Sequence, residues 1–300
     1  MRHGKYPFII GFLAVPVALY VTFVVAAYFQ TFRLSLTGWS GLGPIKNVGF
    51  QNFENLWHDD LFWKSLRHNA VLLVALPIIT IFLALVIAFL LNVGGGFRGG
   101  VIRGVWGSKT YRVIFFFPQL LALAIVAVIF GRVFAPDQSG LLNGILPTNS
   151  AQLWLADKRL ALICILAVLI WQAIGFYVVL FSAAMGSIPS EIYEAAALDG
   201  ATRFTLFFRV TIPLLWGTVQ VAWVYLGIAA FDACPLVNIM SVDRGGPDGA
   251  TSVLSMMIYR NTFELSTVGY ASALGVVLFF LTLTFAALTL RVTRRDNVEF

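Results

Sequence analysis

Six stretches of about 20 apolar residues dominate this chain, at 8–29, 70–91, 113–134, 160–183, 214–232 and 269–290. About 20 such residues are what a helix needs to cross the ~30 Å hydrocarbon layer of a bilayer, and a helix satisfies its own backbone hydrogen bonds there. The pattern predicts an all-α, polytopic membrane protein, residues 1–300, in which six transmembrane helices form a single domain. Composition agrees: 59% of the residues are hydrophobic, 11% are charged, and mean hydropathy is +0.87, far from the usual range of soluble domains. The connections leave no stretch long enough for a soluble catalytic domain. The longest, roughly 30–68, sets Trp39, Phe50, Phe53, Trp57, Phe62 and Trp63 among polar residues, as expected of a segment at the membrane interface.

Six spans put both termini on one side. With the termini inside, the inner segments hold eleven basic residues and the outer ones nine, a weak bias in itself. The 92–112 loop is more telling, with Arg98, Arg103, Lys109 and Arg112 and no acid, and the tail residues Arg291, Arg294 and Arg295 agree. Arg2 and Lys5 against Arg33 decide little at the first span. The acids sharpen the asymmetry. Glu191, Glu194, Asp199, Asp296 and Glu299 lie inside and the other nine outside, so the inner side nets +6 and the outer side 0. The formal charge of +6 is therefore an orientation signal, with the termini cytoplasmic, and nucleic acid is not needed to explain it.

The run from Phe8 to Ala27 follows Arg2 and Lys5 as a secretory leader would, but it exceeds an h-region of 7–15 residues and is expected to remain as the first span. Cys164 and Cys234 are too few and too separated for a disulfide framework or a zinc site. Gly94, Gly95, Gly96, Gly99, Gly100 and Gly104 precede Gly107-Ser108-Lys109-Thr110. A phosphate-binding loop needs glycine directly before the lysine and a strand before the loop; Ser108 breaks that frame. The segment reads as a basic cytoplasmic linker, and the chain is not expected to hydrolyse ATP itself. His3, His58 and His68 are scattered, and no catalytic set or metal-ligand spacing is legible.

One polar-laced inner stretch stands out, residues 191–213 of the loop 184–213. Ser190 after Pro189 is placed to cap a helix, with Glu191 and Glu194 near its positive end. Ala195, Ala196 and Ala197 favour helix with almost no side chain, and Gly200 after Asp199 supplies the turn. A second helical run, Thr202 to Phe208, precedes Pro213, expected in the first turn of the next membrane helix. The first helix is about 13 Å long at ~1.5 Å per residue, a rigid knob rather than a domain.

Polar and aromatic residues inside spans tend to face a protein interior or a wet cavity. Gln119 follows Pro118 in the third span, where a kink is permitted. Trp171, Gln172, Phe176 and Tyr177 lie in the fourth. Gln220, Trp223 and Gly227 share one face of the fifth, with Asp232 at its outer end and Asn238 beyond. Flat aromatic faces beside amides and a carboxylate are what a sugar site uses. Equally, such glutamines hold helices together by hydrogen bonds, and tryptophans near span ends are ordinary anchors.

The spacing within 191–213 resembles the EAA loop of permease subunits in binding-protein-dependent ABC importers. Glu194-Ala195-Ala196, three residues, Gly200, nine residues, then Val210, Thr211, Ile212 and Pro213 follow that pattern, with Val210 and Ile212 standing for the family's Ile and Leu. VGFQNF at 48–53, FFFP at 115–118, Val242-Asp243-Arg244-Gly245-Gly246-Pro247 with Thr251, and the Pro7 to Pro16 helix start resemble the carbohydrate, maltose-type group. MRHGKY at the start, VVLFSAAMGSIPSEIYEAA and the terminal NVEF look closest to actinobacterial permeases for N-acetylglucosamine or chitobiose.

The resemblance implies a type I importer permease in a bacterial cell membrane, forming half of the translocation pathway beside a second, homologous permease. Two ATPase subunits, which bind the ATP and Mg, would dock on Glu191, Glu194, Ala195, Ala196, Asp199, Gly200 and Pro213. An extracellular solute-binding lipoprotein would deliver the sugar. The chain itself would carry no cofactor and catalyse nothing. Glycerol phosphate or another small polar solute is the alternative cargo, though a phosphate should want cations in mid-span and there are none. A secondary transporter would need ionisable residues there, and the spans lack them.

Overall fold

The structure is a computed structural model and describes residues 5–95, 97–98, 101–102, 104–137, 140–146 and 152–292. Arg2, Arg103, Arg294, Arg295, Asp296 and Glu299, which carry part of the orientation argument, lie outside the described residues, as do Gly96, Gly99 and Gly100, the first four residues of MRHGKY and all of NVEF.

Helices apolar on every side belong in lipid or in a protein interior, and among the described residues four are long and apolar enough to cross a membrane: Ile9–Ser35, Asp60–Val93, Ala161–Gly186 and Val268–Arg291. The other two predicted spans are bent pairs, Ser108–Leu120 with Leu123–Val133 at 94° and Arg203–Leu214 with Trp216–Phe231 at 74°. Counting each pair as one span gives six. Among the described residues the chain is otherwise helical, apart from a two-residue antiparallel pair, Phe97–Arg98 with Val101–Ile102, in the basic loop.

The third span is kinked just after Pro118, as the sequence permits, and the kink is a full break: the helix stops at Leu120, and Leu121 and Ala122 are extended (ψ 135° at both) before a new helix begins. Leu121 N–H returns to the Pro118 carbonyl, and the N–H groups of Ile125 and Val126 both reach Ala122 O, so the break leaves few orphan groups. Such breaks survive at membrane depth where backbone is buried in protein or lines a cavity.

The fifth span corrects an expectation. Pro213 does not open the membrane helix. It sits in Ile212–Leu214, the tail of a helical run that passes through a π turn at Leu206–Thr211, and the bend falls at Leu215. Proline has no N–H to give the ladder; the wider π turn, in which Ile212 N–H bonds to Phe207 O, accommodates that loss. The second span, predicted from 70, begins at Asp60 and runs for 34 residues, about 51 Å at ~1.5 Å per residue, so it projects well beyond a ~30 Å hydrocarbon layer.

The chain divides into two contact units, Met1–Trp63 with Met257–Leu281, and Lys64–Met256 with Thr282–Phe300. The larger unit has an apolar core in which Leu72, Leu76, Val126, Ile165, Phe181 and Leu226 are fully buried. The smaller holds the first helix, whose most apolar stretch buries nothing, and the aromatic loop. There Phe62 is buried rather than interfacial, while Phe50 and Trp57 are exposed as expected.

Candidate functional site

The 191–213 elbow is built as a helix, a left-handed turn and a second helix. Its first helix is Ser190–Leu198, nine residues. Pro189, not Ser190, holds the cap position, and no side chain caps the helix, so Ser190 is its first residue. At the other end Gly200 has φ +80°, Gly200 N–H bonds to Ala197 O at 3.1 Å and Ala201 N–H to Ala196 O at 3.0 Å. This pair of bonds is the Schellman closure, for which glycine is the natural residue. Thr202 then caps the next helix, its Oγ1 accepting from Thr205 N–H at 3.3 Å.

The elbow is pinned from below and open above. Tyr193 is buried, with its hydroxyl 3.3 Å from Thr211 Oγ1. Thr211 in turn donates to Leu206 O at 3.0 Å, a carbonyl inside the π turn. Phe207 stacks edge-on against Phe89 of the Asp60–Val93 helix, ring centres 5.2 Å apart. Burial pushes the Tyr193 phenol up from its ordinary pKa, and the Thr211 hydrogen bond pulls the other way. On the open side Glu191, Ala195, Asp199 and Gly200 are exposed, Glu194 and Ala196 half-buried, and Pro213 exposed. Leu198 is 83% exposed and Phe204 72%. Acids around protruding apolar side chains make a surface suited to a protein partner.

Close to this elbow, three helix ends meet through Asn92. Arg112 donates to Asn92 Oδ1 at 2.7 Å, and Asn92 Nδ2 donates to Ala88 O at 2.7 Å with Met185 Sδ at 3.9 Å. A cation of the 92–112 loop is thereby tied to the second span and brought beside the end of the fourth.

The nine candidate pathway residues differ in exposure. Gln119 is exposed beside buried Pro118. Trp171 is exposed and packs on Phe130 with ring centres 4.9 Å apart. Phe176 is exposed, Gln172 half-buried, and Tyr177 buried between Phe176 and Phe181. Gln220 and Trp223 are half-buried, and Trp223 packs against the core, while Gly227 on the same face is buried against the Phe285 ring. Asp232 is exposed at the end of Trp216–Phe231. Asn238 lies in Cys234–Met240, with a buried Oδ1 that has no partner among the described residues. A cavity of 400 Å³ in the larger unit and one of 500 Å³ in the smaller are lined by none of the nine.

Sequence reasoning missed Asn69. It is wholly buried, its Nδ2 donates to Ala230 O at 3.1 Å, and its Oδ1 accepts from Leu254 N–H at 2.8 Å. One turn earlier, Ser65 Oγ meets Ser252 Oγ at 2.8 Å. Together they anchor the glycine-rich 242–253 loop, which also closes on itself through Ser241 and Thr251 hydroxyls 2.6 Å apart. Lys158 and Lys64 reach the same loop at the Asp248 carboxylate and carbonyl. The available signal was a lone amide directly before an apolar run. Both cysteines are free, and among the described residues no His/Cys/Asp/Glu group could hold a metal.

No protein-family model matches the chain. It is 41% identical over 300 residues to the diacetylchitobiose uptake system permease protein NgcF of Streptomyces coelicolor, covering 98% of this chain and 84% of that protein. Against the multiple sugar-binding transport system permease protein MsmF of Streptococcus mutans it is 32% identical, covering 96% and 95%. Among solved structures, it is similar to a chain of the bacterial alginate ABC transporter in complex with an alginate-pentasaccharide-bound periplasmic protein. The TM-score is 0.78 at 20% identity, over 97% of this chain and 95% of that one, a likeness of fold. Permease subunits of this kind are not catalytic by themselves. Related at 41% identity over nearly its whole length, and sharing the helical fold, this chain belongs to the permease subunits of carbohydrate-importing ABC transporters.

Proposed function

We propose that the chain forms half of the translocation pathway of an importer for diacetylchitobiose or N-acetylglucosamine in a bacterial cell membrane. It crosses the membrane six times with both termini in the cytoplasm. A second, related permease completes the pathway, an extracellular solute-binding lipoprotein delivers the sugar, and two ATPase subunits bearing ATP and Mg dock on the 191–213 elbow. The observation that carries the substrate reading is the 41% identity to a diacetylchitobiose permease. The coupling reading is supported by the elbow itself, a rigid knob closed by Gly200 with exposed Leu198 and Phe204. ATP-driven closure of the motor subunits would grip this knob and rotate the helices attached to it, the pinned Tyr193–Thr211 contact passing the motion to the fifth span. Charge near the first turn should matter as well, since carboxylates there favour the helix N-terminus.

The test is reconstitution of the complete transporter with Glu194→Lys in this chain. Sugar-stimulated ATPase and uptake of labelled diacetylchitobiose should both fall at least tenfold while membrane insertion stays normal. Undiminished uptake with full stimulation would remove the elbow from the coupling path.

A further inference from the structure

The smaller unit holds a cavity of 500 Å³, within the range of small-molecule sites, between the 38–59 segment and the 261–270 segment. On the topology proposed above both lie on the outer face. We propose that this cavity is an external sugar-binding subsite, separate from the transmembrane pathway, taking one neutral sugar ring or two as the cargo arrives.

Its walls are preset. Asn52 is buried and donates to Ser35 O at 2.7 Å and Thr37 O at 2.9 Å, fixing the helix Gln51–Trp57 against the turn that carries Trp39. Tyr270 donates to Asp59 Oδ2 at 2.6 Å and Leu61 N–H to Asp59 Oδ1 at 2.8 Å. The carboxylate is held in one orientation with lone pairs to spare. Thr267 Oγ1 donates to Asn261 Oδ1 at 2.9 Å. Next to it Ser266 has φ +52°, a strained backbone for a non-glycine residue, of the kind that collects at ligand sites.

Against these satisfied groups stand two unused ones. Trp39 Nε1 is buried and donates to nothing among the described residues, which needs an explanation for a native polar atom. Asn55 is exposed and its side-chain amide makes no hydrogen bond among the described residues. An indole face with a free N–H, a free amide and a fixed carboxylate match the CH faces and hydroxyls of a sugar. Among the described residues no lysine, arginine or histidine lines the cavity and Asp59 does, so an anionic ligand is disfavoured.

The inference rests on the proposed topology and cargo, and its test separates them. The permease pair with its ATPases, without binding protein, is placed in lipid nanodiscs and titrated with tritiated N,N′-diacetylchitobiose. Asn55→Ala and Trp39→Phe should each weaken equilibrium binding at least fivefold. Asn55 has no partner to lose, so its variant folds whatever Trp39→Phe does. If wild type imports the sugar but both variants bind it as wild type does, or no binding occurs without binding protein, the subsite is overturned and the transport function stands. If the variants weaken docking of sugar-free binding protein and not sugar binding, the occupant is a side chain of that protein and the subsite is likewise overturned. A complex that neither binds nor imports the sugar overturns the cargo reading and the subsite together.

Discussion

Gly175 of the fourth span lies so close to the Phe115 carbonyl of the third that a Cβ placed on it would stand 1.8 Å from that oxygen. Small residues let membrane helices approach backbone to backbone, and this crossing is the main junction between Ser108–Leu120 and Ala161–Gly186. Backbone cannot step aside as a flexible side chain can. Gly175→Ala is therefore expected to cost about 3 kcal/mol, the upper part of the usual overpacking range. The check is the melting temperature and monodisperse yield of the detergent-extracted complex, which should both fall; a melting temperature unchanged within a degree would contradict the close crossing.

Asn69 supplies a different kind of junction. Asn69→Leu keeps the volume but leaves Leu254 N–H and Ala230 O, both now bonded to the amide, with nothing in the interior to replace it. Each buried orphan costs about 1–3 kcal/mol, so the two together give an expected loss of about 2–6 kcal/mol. Because Leu254 follows the 242–253 loop, proteolytic nicking should appear there first. Limited proteolysis with mass mapping checks this, and a protected loop in the variant would show that other contacts suffice.

The spans were legible because lipid demands a simple code, about 20 apolar residues per crossing, and Gly200 was legible because a left-handed turn favours one residue type. Other features were not. Pro118 marked the third span for distortion, yet a 94° break and a mild kink have the same local sequence; the difference lies in what packs around Leu121 and Ala122. Pro213 was placed in the wrong helix because a π turn leaves no signature in hydropathy. Asn69 and Gly175 matter through partners 161 to 185 and 60 residues away, which no periodicity records. The residues of the cavity between 38–59 and 261–270 read as loop because alternating polar and aromatic side chains look alike at an interface and in a site.

Gly200 allows a cleaner test of the elbow than its neighbours do. Nothing lies within 4 Å of where its Cβ would be, so only φ +80° opposes substitution. Gly200→Ala should cost about 1–2 kcal/mol at the turn, and Gly200→Val more, since branching at Cβ resists that conformation. Insertion should be normal in both. The ratio of sugar transported to ATP hydrolysed should fall in the order Gly, Ala, Val, and an unchanged ratio in the valine variant would mean the turn is not under load.

Tyr193 ties the elbow's stability to alkaline pH. Its folded-state pKa is raised by burial, so above the ordinary phenol pKa of about 10 the unfolded state releases a proton that the folded state retains. Stability from this group is complete below pH about 10 and declines as pH rises through the folded-state value. Tyr193→Phe removes the titration and the 3.3 Å contact to Thr211 together. It should lower stability by about 1 kcal/mol at neutral pH, the net worth of a typical hydrogen bond, yet flatten the loss between pH 9 and 11. Hydrogen exchange of the 190–198 helix at several pH values measures both effects. Equal slopes for wild type and variant would show that burial in the folded elbow does not hold the Tyr193 proton.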